Sequence, residues 1–177
     1  MSWSRPDADF EAFVRASTTP LLRVAWLLTG DHHGAQDLVQ ETHVRMAARW
    51  TSIRRHEQDP TAYARTVLHR LHIDHWRRRR RRPEHLTASA PDAPSGSSQV
   101  TDADLRLVLL DALGRLTPRQ RSVLVLRYLE DRTEVQAAAV LGCSVSTVKS
   151  QSRHALARLR ELNPELVAEL APARRGG

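Results

Sequence analysis

The chain has 177 residues with 27 Lys and Arg against 20 Asp and Glu, a formal net charge of +7 that favours a polyanionic partner. That length holds one medium domain or two small ones, and the single cysteine, Cys143, excludes both a disulfide framework and a thiolate zinc cluster. The N-terminal MSWSRPDADFEAF lacks the apolar core of a signal peptide and no apolar run is long enough to span a bilayer, so a cytoplasmic protein without membrane contact is expected.

Between turn signals nearly every segment repeats its apolar residues with a period near 3.6, and no stretch alternates as a strand does. The fold is read as all-α. The first helix covers residues 7–28, is disturbed near Thr19 and Pro20, and stops at Gly30; Asp31 then caps the second. In the second helix Ala35, Leu38, Val39, Met46 and Trp50 make an apolar side, with Asp37, Gln40, Glu41 and Arg45 opposite. A loop over residues 52–58 follows. Asp59 and Pro60 open a third helix that runs to about Arg80.

Residues 83–101, PEHLTASAPDAPSGSSQVT, are rich in Pro, Ser and Ala with almost no large apolar residue, which reads as a flexible linker. Two small helical domains are therefore expected, 1–82 and 102–165, followed by a tail at 166–177 that is read as disordered from Pro172. Each core is modest, so a partner surface that buries further area suits both.

After the linker, Leu105, Val108, Leu109, Ala112, Leu113 and Leu116 form a core stripe. Thr117, Pro118 and Gln120 make a capping box that starts a helix through about Tyr128. Residues 134–153 then have helix-turn-helix spacing: Ala138 is small enough for close helix approach, Gly142 accepts a positive φ, and Val148 is a core residue of the second helix. Ser144 is its N-cap. Val145, Val148, Leu156, Leu159 and Leu162 are expected to be buried, leaving Thr147, Ser150, Gln151, His154 and Arg158 facing away. An ordinary αα-hairpin uses the same spacing, so the rest of the chain has to decide between hairpin and DNA reader.

Side chains near the start of such a helix reach base edges, which makes Ser146, Thr147, Ser150 and Gln151 candidate readers, with Gln151 suited to bidentate contact with adenine. Lys149, Arg153 and His154 are assigned to phosphate or a neighbouring guanine. On the third helix Arg65, Arg70, Asp74, Arg77, Arg78, Arg79 and Arg80 form a polar, mostly basic surface, within which six consecutive arginines run from Arg77 to Arg82. A tract that only keeps the linker soluble or holds RNA without specificity is the alternative. Trp76 is either a stacking face for an unpaired base or a core residue, the second favoured. His69, His72 and His75 recur at metal-ligand spacing, but with no fourth ligand nearby they are read as flanking the basic surface. No Gly-rich phosphate loop or hydrolase nucleophile motif is present, and no metal, cofactor, small-molecule substrate or catalytic activity is expected.

Four separated segments together resemble the extracytoplasmic-function, group 4, sigma factors of the sigma-70 family. Asp37-Leu38-Val39-Gln40-Glu41 resembles the polymerase-binding signature of region 2. Ala62-Tyr63-Ala64-Arg65 through Ile73-Asp74-His75-Trp76-Arg77-Arg78 resembles its −10 helix. Leu116-Thr117-Pro118-Arg119-Gln120-Arg121 through Leu126-Arg127-Tyr128 is similar to the start of region 4, and Thr147-Val148-Lys149-Ser150 running into Ala157-Arg158-Leu159-Arg160 is similar to its −35 helix.

The resemblance implies an alternative sigma factor that binds core RNA polymerase through Asp37, Gln40 and Glu41, with His43 beside them. It directs that enzyme to promoters through −10 and −35 contacts, and an anti-sigma factor is a further candidate partner. Many relatives have arginine at Gln151 and a large apolar residue at Ser152, whereas Lys149-Ser150-Gln151-Ser152 resembles an actinobacterial subgroup. The 52–58 loop, which in relatives captures a flipped −10 base, varies too much for residue-level transfer.

A stand-alone helix-turn-helix regulator remains the competing class. It would carry a ligand, receiver or dimerisation domain where this chain has a second basic surface and the DLVQE helix. A helical nuclease or recombinase would need catalytic residues that the sequence lacks.

Overall fold

The computed structural model describes residues 8–56, 59–81 and 102–164, with the side chains of all but 80, 81 and 102–106. The expected linker and tail lie outside the described residues. All regular structure among the described residues is helical, as the 3.6-residue period predicts.

Helix α1, Ala8–Thr29, runs through Pro20 without ending there. Pro20 removes one backbone donor, and the carbonyl four residues earlier belongs to Ala16, which is solvent-exposed. Gly30 closes the helix at φ +80, its N–H donating to the Trp26 carbonyl at 2.8 Å. Asp31 caps α2, His32–Ala47, and its Oδ1 accepts from the Gly34 N–H at 2.6 Å. A Cβ at residue 34 would lie 2.7 Å from Asp31 Oδ2, so a larger residue there would displace the capping carboxylate.

Trp50 does not extend α2 but opens a separate short helix, α3, Trp50–His56, so most of the expected 52–58 loop is helical. Trp50 still enters the core, tilted against Phe13 and edge-on to Phe10, with ring centroids at 4.9 and 5.1 Å. Asp59 Oδ1 accepts from the N–H groups of Thr61 and Ala62 and starts α4, Pro60–Arg81. The four helices enclose Leu21, Leu28, Leu38, Met46, Leu68 and Leu71, all fully buried, each contributing about 2 kcal/mol.

In the second half, α5 spans Asp102–Gly114, and of the expected stripe Ala112, Leu113 and Leu116 are buried. Val108 is not: it is 41% exposed, and the Leu105 side chain lies outside those described. The Thr117–Gln120 capping box forms reciprocally and starts α6, Pro118–Leu124. The chain does not continue as α-helix to Tyr128. It widens into a π-turn over Val125–Leu129, where the Glu130 N–H reaches the Val125 carbonyl, and ends with Asp131 at φ +51.

A second capping box, Thr133 with Gln136, opens α7, Glu134–Leu141; Gly142 turns the chain at φ +61, and Ser144 caps α8, Val145–Leu162. Val148 and Leu159 are buried as expected, whereas Val145, Leu156 and Leu162 are half-buried and Ala155 completes the core stripe. The two halves also pack on each other. Leu27 of α1 touches the α5–α8 core, and Val125 is inserted among the residues of α1 to α4.

Candidate nucleic-acid and protein interfaces

The start of α8 is held by hydroxyls. Ser144 Oγ accepts from the Thr147 N–H at 3.1 Å and lies 2.8 Å from both Ser146 Oγ and Thr147 Oγ1. Ser150 Oγ donates to the Thr147 carbonyl. Ser146, Lys149, Arg153 and His154 are exposed, while Thr147, Ser150 and Gln151 are half-buried beside them. Glu134 of α7 draws Lys149 to 3.7 Å with one carboxylate oxygen and Arg127 to 3.6 Å with the other. The helix therefore presents a cationic row anchored to its neighbour, with short polar groups at its N-terminus.

Helix α4 splits the expected basic surface into two regions. Near its distal end Arg77, Arg78 and Arg79 are exposed; Arg77 lies 3.8 Å from Asp74, and Trp76 is half-buried. The Arg80 side chain lies outside those described. Closer to the centre, Arg65 lies 3.8 Å from Glu130, and Arg70 donates from Nε to the Val140 carbonyl at 2.9 Å and from Nη2 to the Ala139 carbonyl at 3.0 Å.

The histidines do not flank the surface as expected. His69 and His72 are buried, with His69 Nε2 2.8 Å from Glu130 Oε1, while His75 Nε2 meets Glu41 Oε2 at 2.5 Å. Burial, with the charge of Arg121 nearby, pushes His72 down to about 3, so its ring is neutral inside the fold.

On α2 the structure separates residues that share one polar side in the sequence. Asp37, Gln40 and His43 line an open groove of about 660 Å³ between α1 and α2, together with Phe10, Val14 and Val44. Asp37 and Gln40 are exposed; His43 is half-buried, 3.1 Å from Ser17 Oγ, and burial lowers its pKa. Glu41 does not line the groove. It turns to α4, held by His75 and by Arg45 at 3.0 Å, and these partners outweigh burial to keep its carboxyl below the ordinary range.

Two contact residues escape sequence reasoning. The Arg121 guanidinium is buried and donates to the carbonyls of Leu28, Leu113 and Gly114 at 2.5, 2.7 and 3.0 Å, serving the open C-terminal ends of α1 and α5. Burial lowers it only to about 10, so it stays charged. Glu130, whose side chain is 4% exposed, pairs with residues 61 and 65 positions away, and no local signal foretells that.

Residues 13–82 match sigma-70 region 2 and residues 112–161 match sigma-70, region 4. An RNA polymerase sigma-E factor of Streptomyces coelicolor is 41% identical over 166 residues, which cover 94% of this chain and 90% of that protein. The chain belongs to the sigma-70 family. It is an extracytoplasmic-function sigma factor of an actinobacterial type, as its motifs imply. The sigma factor SigL of Mycobacterium tuberculosis is 33% identical over 148 residues, covering 82% of this chain and 84% of its own length.

Among solved structures, the sigma factor RpoE of Bartonella quintana, in complex with the anti-sigma factor NepR, has a TM-score of 0.67 at 26% identity. The match covers 88% of this chain and 97% of that one. CnrH, in complex with the cytosolic domain of CnrY, has a TM-score of 0.56 at 25% identity and 88% coverage of each chain.

Proposed function

We propose that this sigma factor, which binds core RNA polymerase and directs it to promoters, divides the work among three surfaces: the α1–α2 groove for polymerase, α4 for the −10 element and α8 for the −35 element. The observation that carries this division is the succession of region 2 and region 4 matches in one chain, each containing its own basic helix. It disfavours a stand-alone regulator, which has no use for a second nucleic-acid surface in place of a ligand or dimerisation domain.

Asp37, Gln40 and His43 rim the polymerase groove, and Glu41 supports it from behind. Arg77, Arg78, Arg79 and Arg80 meet phosphates near the −10 element, with Arg65, Arg70, Asp74 and Trp76 completing that helix. Ser146, Thr147, Ser150 and Gln151 read −35 base edges, while Lys149, Arg153 and His154 hold the backbone. Domain bounds of 1–82 and 102–165 on either side of the linker fit this division.

The protein is a transcription initiation factor, and its contribution is binding rather than bond chemistry. No helix among the described residues is long and apolar enough to cross a membrane. We place its action in the cytoplasm with the polymerase. Since RpoE and CnrH are each held by a partner in their structures, an anti-sigma factor is the proposed regulator here.

Run-off transcription from a promoter library, with core polymerase in the presence and absence of this protein, tests the reading. Transcripts that require the protein and share −10 and −35 elements support it. Specific nanomolar DNA binding by the free protein as a dimer, with no added transcription, contradicts it.

A further inference from the structure

The contact between the two halves is built on the −10 helix. His69 of α4 has no solvent exposure, and its ring meets Glu130, the residue after the π-turn, at 2.8 Å. Arg65, one turn earlier, lies 3.8 Å from the other oxygen of the same carboxylate. Next to His69, Arg70 donates twice to the carbonyls at the end of α7, the first helix of the helix-turn-helix. Farther along, Ile73 is buried among Val123, Leu126, Ala137 and Val148 of the second half.

Two of the cations assigned to promoter DNA are therefore engaged by the chain's own acceptors. A carboxylate faces Arg65 and carbonyl oxygens face Arg70, the same acceptor chemistry that DNA phosphates offer. The α1–α2 groove is different: among the described residues, none of α5 to α8 lines it.

We propose that, in the free protein, the region 4 domain is an intramolecular cover over the −10 helix, latched by Glu130 acting as a phosphate mimic toward Arg65 and His69. The closed chain still offers Asp37 and Gln40 to the polymerase, but it withholds Arg65 and keeps the exposed Arg70 hydrogen-bonded to α7 until the cover lifts. Polymerase docking at the groove thus comes first and promoter engagement second, and the equilibrium between closed and open chain sets how much free sigma factor can engage DNA. The π-turn serves the latch directly. It shifts the register by one residue at the end of α6, so that the chain reverses at Asp131 with Glu130 directed into α4.

This inference rests on the assignment of α4 to the −10 element, and the test separates the two. In full-length protein, Glu130→Lys places a cation against Arg65 and His69. It is expected to enlarge the radius of gyration in small-angle X-ray scattering and to shift the closed-to-open ratio on the order of tenfold or more. It should speed promoter-complex formation with core polymerase while leaving the circular dichroism spectrum intact.

A second variant works in the opposite direction. Thr66→Cys with Val140→Cys, in a Cys143→Ser background, places thiols on residues that line a common cleft between the halves. Joined by a reductant-cleavable bifunctional crosslinker, this protein should bind core polymerase yet yield no run-off transcript, and reductant should restore transcription.

Unchanged scattering and kinetics in Glu130→Lys, or full transcription by the crosslinked protein, overturns the latch. A wild-type protein that binds polymerase but protects no −10 DNA when open overturns the α4 assignment instead.

Discussion

Glu41 of α2 and His75 of α4 meet at 2.5 Å, a contact that ties the helix proposed to face polymerase to the one proposed to face the promoter across 34 residues of sequence. Its neighbour Gln40 points elsewhere, into the α1–α2 groove. Adjacent residues on one helix are separated by about 100° of rotation, and here that rotation separates a groove-lining side chain from one held internally.

Gln40→Ala should therefore lower affinity for core polymerase with no change in melting temperature. Glu41→Ala should also cost stability, about 1 kcal/mol or less because both partners of the pair remain partly solvated. Affinity measurements and thermal melts on the two single variants check this. Equal melting of both variants would show that the His75 contact carries no stability.

Gly142→Ala should destabilise the C-terminal half by about 1 to 2 kcal/mol. A Cβ at this position has nothing within 4 Å, so the cost is that of holding a non-glycine residue at φ +61. Denaturant unfolding measures it. A destabilisation well above that range would indicate a steric contact in the turn.

The features that read correctly from sequence are those decided within four residues. Asp31, Asp59, Thr117 and Ser144 each cap a helix through their own side chain, and Gly142 terminates one through its own φ. The features that did not read are those decided by packing between distant segments. Trp50 looks like the next residue on the apolar side of α2, and only the space beside Phe10 and Phe13 makes it the start of a new helix. His69 and His72 look like surface residues in an arginine-rich helix, but the second half of the chain covers that face. The partner of Glu130 is 61 residues away, beyond any periodicity.

Replacing Arg77, Arg78 and Arg79 with serine should flatten the salt dependence of promoter-complex formation by about one unit of slope for each phosphate no longer neutralised. All three side chains are exposed, so folding should be unaffected. Selection of −10 sequences should return the same consensus as wild type. A changed consensus with an unaltered slope would make these arginines readers of bases.

Gln151→Ala should shift preference at one or two −35 positions, costing about 1 to 3 kcal/mol at the cognate base. Lys149→Ala should instead weaken all sequences alike, since this exposed ammonium sits beside Glu134 at the helix surface rather than in a base-specific pocket. Binding-site selection with core polymerase present distinguishes the two. An identical consensus for wild type and the Gln151 variant would remove it from the readers.

Acidification should destabilise the protein well above the carboxylate range, through His72. Its folded pKa is pushed down to about 3 from 6.5 by burial and the nearby Arg121 charge, so between those values the unfolded chain binds a proton that the folded chain does not. Stability is then fully present above pH 6.5 and falls away as pH drops toward 3, by about 2 kcal/mol at pH 5. His43, lowered by burial, acts with the same sign. Glu41 and Glu130, both held below 4.5, add their own destabilisation only at lower pH. Urea unfolding at pH 7 and pH 5 should show the difference, and His72→Leu should remove most of it while leaving the His43 share. An unchanged pH dependence in that variant would mean that His72 is protonated in the folded protein.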